Sequence, residues 1–169
     1  MGYRIEKDFL GEKQIPDDAY YGVQTLRGKE NFHITGIPMS LEPNFIKAFG
    51  YVKKAAAQAN AELKCLDAKI ADAIGKACDE ILDGKLHEQF DVDVFQGGAG
   101  TSTNMAANEV IANRALEHMG KAKGQYEFCV QGTTADNNDP DGLAPILDGT
   151  LPASVSRSAN IPTPEIHDY

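Results

Sequence analysis

A glycine-rich segment followed by hydroxyl and amide side chains carries the clearest chemistry in this chain. Residues 96–105 read Gln-Gly-Gly-Ala-Gly-Thr-Ser-Thr-Asn-Met, and a helical pattern continues to Met119. The first N–H groups of a helix have no intrahelical acceptor, and the helix dipole favours negative charge there. The hydroxyls of Thr101, Ser102 and Thr103 add hydrogen-bond donors at the same place. The segment therefore predicts a site for a small anion, such as a carboxylate or a phosphate.

Two other interpretations of this segment must be compared with an anion site. A glycine run before a helix is often only a tight turn with an N-cap, and the segment alone does not exclude that. A nucleotide-phosphate loop requires Gly-Lys-Ser or Gly-Lys-Thr, whereas Thr101 follows Gly100 directly. A carboxylate site and a simple turn remain as the alternatives from the residues themselves.

Three amphipathic helices are predicted around this segment. Apolar residues recur at helical spacing over about 43–63, over 68–83 after a plausible N-cap at Asp67, and from about Ser102 to Met119. Gly84 and Gly120 are placed to end the second and third helices. Gly50 lies inside the first helix, where glycine costs about 1 kcal/mol relative to alanine, so we expect close packing there.

The remaining segments are predicted to be extended or irregular. Glycine and proline interrupt residues 1–41, and apolar residues at 20–23 and 32–34 suggest short strands or packed loops. Residues 90–95 alternate Phe-Asp-Val-Asp-Val-Phe, which favours a short strand or an extended lead-in whose aspartates face solvent. Residues 129–169 hold five of the eight prolines and no helical stripe. We expect a folded domain over 1–128 and an irregular Pro/Asp-rich tail over 129–169.

Composition and charge exclude several classes of function. The chain has 169 residues, of which 42% are hydrophobic and 24% are charged, with a net charge of -9. So acidic a chain offers no basic surface for nucleic acid or for an anionic membrane. The three cysteines are widely spaced and form no Cys/His cluster, so we expect no metal site and reduced thiols in a cytoplasmic protein. The sequence shows no secretory signal and no apolar run of transmembrane length.

Several blocks together resemble one enzyme family. Residues 97–102 (Gly-Gly-Ala-Gly-Thr-Ser), 104–105 (Asn-Met) and 108–115 (Asn-Glu-Val-Ile-Ala-Asn-Arg-Ala) resemble the first conserved block of the aspartase/fumarase superfamily. Residues 4–11, 19–27 and 90–96 support the resemblance, which extends from residue 4 to about 127. Class II fumarases tend to carry Thr-Gly-Ser-Gly-Thr where residues 97–102 stand in this chain, so the chain is most similar to the aspartate ammonia-lyase branch.

The resemblance implies a fold and a set of binding residues. It implies the mainly α N-terminal domain of that fold, with short strands and loops followed by three helices. It implies binding of a dicarboxylate, aspartate or fumarate, by Gly100, Thr101, Ser102, Thr103 and Asn104. Ala106 stands where the family usually has a further asparagine. No metal or cofactor is expected.

The resemblance also implies a reaction, the reversible deamination of L-aspartate to fumarate and ammonia. In the family, a serine on a flexible loop removes the Cβ proton, and an aci-carboxylate forms. That loop motif does not occur in this sequence, so no catalytic residue is assigned and we expect the chain to be inactive by itself. The family homotetramer is built around a central helical bundle, and we do not expect it to form without that bundle. The alternatives are a non-enzymatic dicarboxylate-binding or interaction module and a fumarase-like hydratase.

Overall fold

The computed structural model describes residues 2–97 and 100–129. Gly98, Ala99 and the predicted tail from residue 130 onward lie outside the described residues. In the described part, the elements are β1 (Tyr3–Asp8), β2 (Gly11–Pro16), α1 (Val23–Asn31), α2 (Pro43–Glu62), α3 (Ala68–Leu82) and α4 (Thr101–His118). Short 3-10 helices lie at Met39–Leu41, His87–Gln89 and Tyr126–Phe128. The prediction of a mainly α fold is confirmed.

The N-terminal hairpin buries charge rather than apolar surface on β1. The strands pair antiparallel, with Tyr3 opposite Pro16 and Asp8 opposite Gly11. Glu6 and Asp8 on β1 are buried, whereas Ile5 between them is 57% exposed. The usual alternation is inverted because both carboxylates have partners inside the domain, which are described below.

Helix α1 was not predicted. Short strands or packed loops were expected at 20–23 and 32–34; residues 20–22 and 32–34 are loops, but Val23 begins a helix that ends at Asn31. Thr25 and Gly28 lie on its buried side. The helix was missed because the segment carries no apolar stripe and no N-capping side chain of its own; Gly22 occupies the N-cap position.

The three predicted helices are confirmed to within two residues. Asp67 Oδ1 accepts the N–H of Lys69 at 2.8 Å, which is the expected N-cap of α3. Gly84 and Gly120, which follow α3 and α4, have left-handed φ values of 88° and 72°. A Cβ on Gly50 would lie 3.1 Å from Leu82 Cδ2, so the close packing predicted at this glycine is present between α2 and α3.

The core lies between α3 and α4, with α2 packed against α3. Its largest fully buried side chains include Phe90, Ile74, Ile81, Ile111 and Leu116. Arg114 joins α4 to α3 at the rim of the core through two contacts with Glu80, Nε to Oε2 at 2.5 Å and Nη2 to Oε1 at 2.8 Å. In the described residues, no helix is both long and apolar enough to cross a membrane.

Residues 90–95 form an extended segment with a single β-bridge, Pro38 to Asp93, instead of a strand of a sheet. The prediction that Asp93 faces solvent was wrong. Its carboxylate is buried and accepts the N–H groups of Thr35, Gly36 and Phe95 and the Thr35 hydroxyl. Burial alone would raise the pKa of Asp93, but the hydrogen bonds from Phe95 and Thr35 outweigh it and hold the pKa well below its usual range.

Candidate carboxylate site

Helix α4 begins as the glycine segment predicts. Gly100 is its N-cap, with a left-handed φ of 69° that glycine adopts without a steric penalty. The first intrahelical hydrogen bond runs from Asn104 N to Gly100 O at 3.2 Å. The N–H groups of Thr101 and Ser102 precede that bond, so they lie at the positive end of the helix dipole.

Thr101 and Ser102 lie together on one wall of a groove. The groove has a volume of about 480 Å³, and Met105 continues the same wall along α4. The opposite wall comes from α1, with Gln24, Arg27 and Gly28. The sequence predicted the first wall but not the second, because α1 was not predicted.

Gly28 allows the two walls to approach each other. A Cβ at this position would lie 3.1 Å from Ser102 Oγ and 3.2 Å from Ser102 Cβ. Those distances are tighter than most Cβ contacts in proteins, so a side chain here would require Ser102 to shift. The positions of Gly28 and Ser102 are therefore linked.

Thr103 and Asn104, which were also predicted to bind substrate, face away from the groove. Thr103 is buried; its N–H donates to Gln96 Oε1 at 2.9 Å, and its hydroxyl oxygen accepts from Gln96 Nε2 at 2.5 Å. Asn104 Oδ1 accepts from Lys53 Nζ on α2 at 2.8 Å. Successive helical residues are rotated by about 100°, so four adjacent residues cannot share one face. In this structure, Thr103 ties the glycine segment to the helix and Asn104 contacts α2.

The groove holds one arginine, which is tied to the hairpin. Arg27 Nε and Nη2 donate to the two carboxylate oxygens of Asp8 at 2.7 and 2.8 Å, and Nη2 also donates to Gly11 O at 3.0 Å. The hydrogen bond to Asp8 raises the pKa of Arg27, so the guanidinium stays charged. Burial would raise the pKa of Asp8, but Arg27 and the N–H of Leu10 hold it below its usual range. The pair fixes the middle of α1 against β1.

The described residues contain no cluster of three or more His, Cys, Asp or Glu side chains that could hold a metal ion. The histidines of this part of the chain lie outside the groove. His87 Nε2 is 2.8 Å from Ile81 O, and His118 Nε2 is 3.4 Å from Glu80 Oε1. Both contacts belong to the packing of α3 and α4. The chemistry of the groove instead comes from hydrogen-bond donors that suit an anion, namely the N-terminus of α4 and the hydroxyls of Thr101 and Ser102.

Comparison with known proteins shows which family the chain belongs to. A family model described as lyase matches residues 11–140. The chain belongs to this family, the aspartase/fumarase lyases. An aspartate ammonia-lyase from Helicobacter pylori is 60% identical over 126 residues, which are 75% of this chain and 27% of that relative. The chain thus spans about a quarter of the length of the curated relatives it matches.

Solved structures of family members share the fold. A structure described as fumarate lyase:delta crystallin from Brucella melitensis matches with a TM-score of 0.74 and 56% identity, covering 75% of this chain and 28% of that one. A class II fumarase from Schistosoma mansoni matches with a TM-score of 0.68 and 35% identity, covering 73% of this chain and 26% of that one. The resemblance inferred from the sequence is confirmed, and so is the assignment to the N-terminal domain of this fold.

Proposed function

We propose that this chain supplies the carboxylate-binding part of an aspartate ammonia-lyase, in which L-aspartate is converted reversibly to fumarate and ammonia. The single observation that carries the proposal is the pairing of Thr101 and Ser102, at the N-terminus of α4, with the α1 wall of the groove. The family membership and the aspartate ammonia-lyase relatives support the choice of substrate.

The chemistry explains why hydroxyls at a helix N-terminus suit this reaction. Removing a proton from Cβ of aspartate places a second negative charge on the β-carboxylate, as an aci-carboxylate. Donors that are already oriented toward that charge stabilise the transition state more than the ground state, and one such donor is typically worth about 10²–10³ in rate. The extra electron pair of the aci-carboxylate then forms the Cα–Cβ double bond as the Cα–N bond breaks, which gives fumarate and ammonia.

We propose that Thr101 and Ser102 donate to the carboxylate, together with the N–H groups of the first turn. Gly100 allows the close approach of the carboxylate to that turn. Thr103 and Asn104 act behind them by holding the start of α4 to Gln96 and Lys53. Because the chain spans only about a quarter of its relatives' length, we expect it to bind a dicarboxylate but not to turn it over by itself.

The first part of the test is binding by the chain itself. We expect succinate, fumarate and L-aspartate, added in turn, to shift the amide NMR signals of Thr101 and Ser102 in a saturable way. Thr101→Ala and Ser102→Ala should each weaken this binding. Ser40→Ala, a serine on the short 3-10 helix Met39–Leu41 outside the groove, is the matched control and should bind like the wild type.

The second part tests the reaction. Residues 4–127 would replace the matching segment of the Helicobacter pylori relative, and fumarate formation would be followed by its absorbance. We expect the chimera to form fumarate from L-aspartate, and Thr101→Ala to lower kcat/KM by about 10²–10³-fold. Turnover of L-malate in preference to L-aspartate would assign the groove to a fumarase-like hydratase. Binding without turnover in an intact chimera would favour a dicarboxylate-binding module.

A further inference from the structure

The N-terminus of α1 is capped by side chains from other elements. Gly22 has no side chain to cap it, and the first N–H groups of the helix donate to two carboxylates from other elements instead. Glu109 on α4 accepts the N–H groups of Gly22 and Gln24 at 2.8 Å, the N–H of Thr25 at 3.0 Å and the Thr25 hydroxyl at 2.5 Å. Glu6 on β1 accepts the N–H of Val23 at 3.0 Å. The first turn of α1 is therefore held by residues as distant in sequence as position 109.

The contacts around Glu109 suit an ionised carboxylate. All four of these partners are donors, and an ionised carboxylate offers only acceptors. The neighbouring Glu6 accepts from Arg4 Nε at 2.8 Å and from the Tyr126 hydroxyl at 3.1 and 3.2 Å. A negative carboxylate at a helix N-terminus is also favoured by the helix dipole.

Gly22 lies where these groups converge. A Cβ on Gly22 would lie 2.5 Å from Glu6 Oε2, 2.6 Å from Tyr126 Oη and 2.9 Å from Glu109 Cδ. The φ of Gly22 is −120°, an ordinary extended value, so the need for glycine here comes from space. The close approach fixes the start of α1 on the surface of α4 and β1.

Glu109 and Ser102 lie on the same face of α4. They are seven residues apart, which is two helical turns, and each contacts α1. Glu109 holds the start of α1, and Ser102 lies against Gly28 further along the same helix. A change at Glu109 would therefore move the α1 wall relative to the donors of α4.

We propose that Glu109 is a positioning residue for the groove: its carboxylate fixes α1 across α4 and so sets Gln24, Arg27 and Gly28 at the distance from Thr101 and Ser102 that a dicarboxylate requires. The inference rests on the proposed function, since it assumes that the groove binds a dicarboxylate. It adds a residue that lies outside the groove and controls its width.

The charge that Glu109 carries is costly where it lies. The pKa of Glu109 is raised to about 7: burial is the largest cause and the negative charge of Glu6 adds to it, while the hydroxyl and N–H of Thr25 and the N–H of Gln24 oppose the rise. Among the described residues, Glu6 from β1, which pairs with Arg4, and Tyr126 from the last 3-10 helix are titratable groups that interact with it. The cap keeps α1 in one place at a cost in stability that a neutral side chain would avoid.

Glu109→Gln is the decisive variant, because the amide keeps the shape but turns an NH₂ group toward backbone N–H donors. At pH 8 we expect succinate, followed by NMR titration, to bind about tenfold more weakly, which is the usual worth of a helix cap. The amide signals of Gly22, Gln24 and Thr25 should move in the absence of ligand. Glu80→Gln is the matched control, since it changes a carboxylate whose hydrogen bonds come from Arg114 on α4. It should keep wild-type succinate affinity.

A double-mutant cycle separates positioning from a general loss of stability. If Glu109 acts by setting α1 against Ser102, the effects of Glu109→Gln and Ser102→Ala on succinate affinity should not add, whereas independent effects would add. Thr25→Val provides a milder change, because it keeps the volume and removes one of the four donors. It should alter the α1 amide signals and weaken succinate binding in the same direction, but less.

Three results would contradict the proposal in different ways. Wild-type succinate affinity in a folded Glu109→Gln protein whose α1 signals have moved would overturn the link to the groove. If Glu109→Gln does not fold, Thr25→Val replaces it in the test. Unchanged α1 amide signals and unchanged succinate affinity in Thr25→Val would also overturn the link between Glu109 and the groove. If the wild type binds no dicarboxylate, the proposed function is refuted, and so is the proposal that Glu109 positions the groove for such a ligand. The α1 amide signals would still report separately whether Glu109 caps the helix.

Discussion

At the scale of single residues, Gly22 shows how little space the capping arrangement leaves. Two carboxylates and a tyrosine hydroxyl approach the same backbone position from β1, α4 and the last 3-10 helix. Nothing in the local sequence marks this glycine as different from the others that interrupt residues 1–41. Its constraint becomes visible only when residues from three elements are placed together.

Gly22→Ala should lower the free energy of unfolding by about 1–3 kcal/mol, the usual cost of forcing extra atoms into a packed site. The measurement is urea unfolding followed by circular dichroism. Gly75→Ala is the matched control, because a Cβ there meets nothing within 4 Å and the residue lies inside α3. That substitution should stabilise the protein, by up to about 1 kcal/mol, through helix propensity. Equal effects of the two substitutions would contradict the geometry around Gly22.

At the scale of elements, the sequence predicted those helices that carry their own signals. Apolar residues at helical spacing, an N-cap at Asp67 and closing glycines gave α2, α3 and α4 almost to the residue. Helix α1 lacks such signals because its cap comes from Glu6 and Glu109. For the same reason β1 buries Glu6 and Asp8 and exposes Ile5, which inverts the pattern that a strand usually shows.

The two walls of the candidate site differ in the same way: one was predictable from the sequence and the other was not. The glycine run and the hydroxyls predicted the α4 wall of the groove, and the anion-binding role of those residues stays a prediction. The α1 wall could not be predicted because it depends on contacts between segments about 75–87 residues apart in sequence. The rotation of Thr103 and Asn104 away from Ser102 follows from helix geometry alone, so it could have been predicted from the sequence.

The buried charge between α1 and α4 should make stability depend on pH in a recognisable direction. Burial raises the pKa of Glu109 to about 7, above its ordinary value near 4.3, so the folded protein binds the extra proton between these values. The contribution of this group to stability is then fully present below about pH 4.3 and is lost as pH rises through about 7. Urea midpoints measured from pH 5 to pH 8 should fall more steeply in the wild type than in Glu109→Gln. Parallel curves for the two proteins would contradict a raised pKa at this carboxylate.

At the scale of the whole molecule, the main core joins α2, α3, α4 and the extended segment at 90–94, and a small apolar cluster of Ile15, Ala19 and Val23 joins the hairpin to α1. Buried polar contacts attach the hairpin and α1 to α4. The apolar core was predictable from periodicity. The polar attachments were not, since they join groups that are far apart in sequence, often a side chain and backbone N–H groups of a distant segment. The groove lies between these two kinds of structure, with its α4 wall in the core and its α1 wall on the attached side.

The cysteines offer a way to measure whether the core opens as one unit. Cys78 on α3 and Cys129 after the last 3-10 helix are both buried, and burial raises the pKa of each thiol to about 12, whereas Cys65 after α2 is partly exposed. Alkylation requires the thiolate and access to it. With iodoacetamide at pH 8, followed by peptide mass spectrometry, we expect Cys65 to react first and Cys78 to react only through unfolding.

Cys129 then reports on the attachment of residues 126–129 to α4, since its Sγ lies 3.8 Å from Ala112 O. Equal protection of Cys78 and Cys129 across a urea series would indicate that this segment and the core open together. Faster labelling of Cys129 would indicate that Tyr126, and with it one partner of Glu6, is released before the core unfolds. Labelling of Cys78 at the rate of Cys65 under native conditions would contradict its burial in the core.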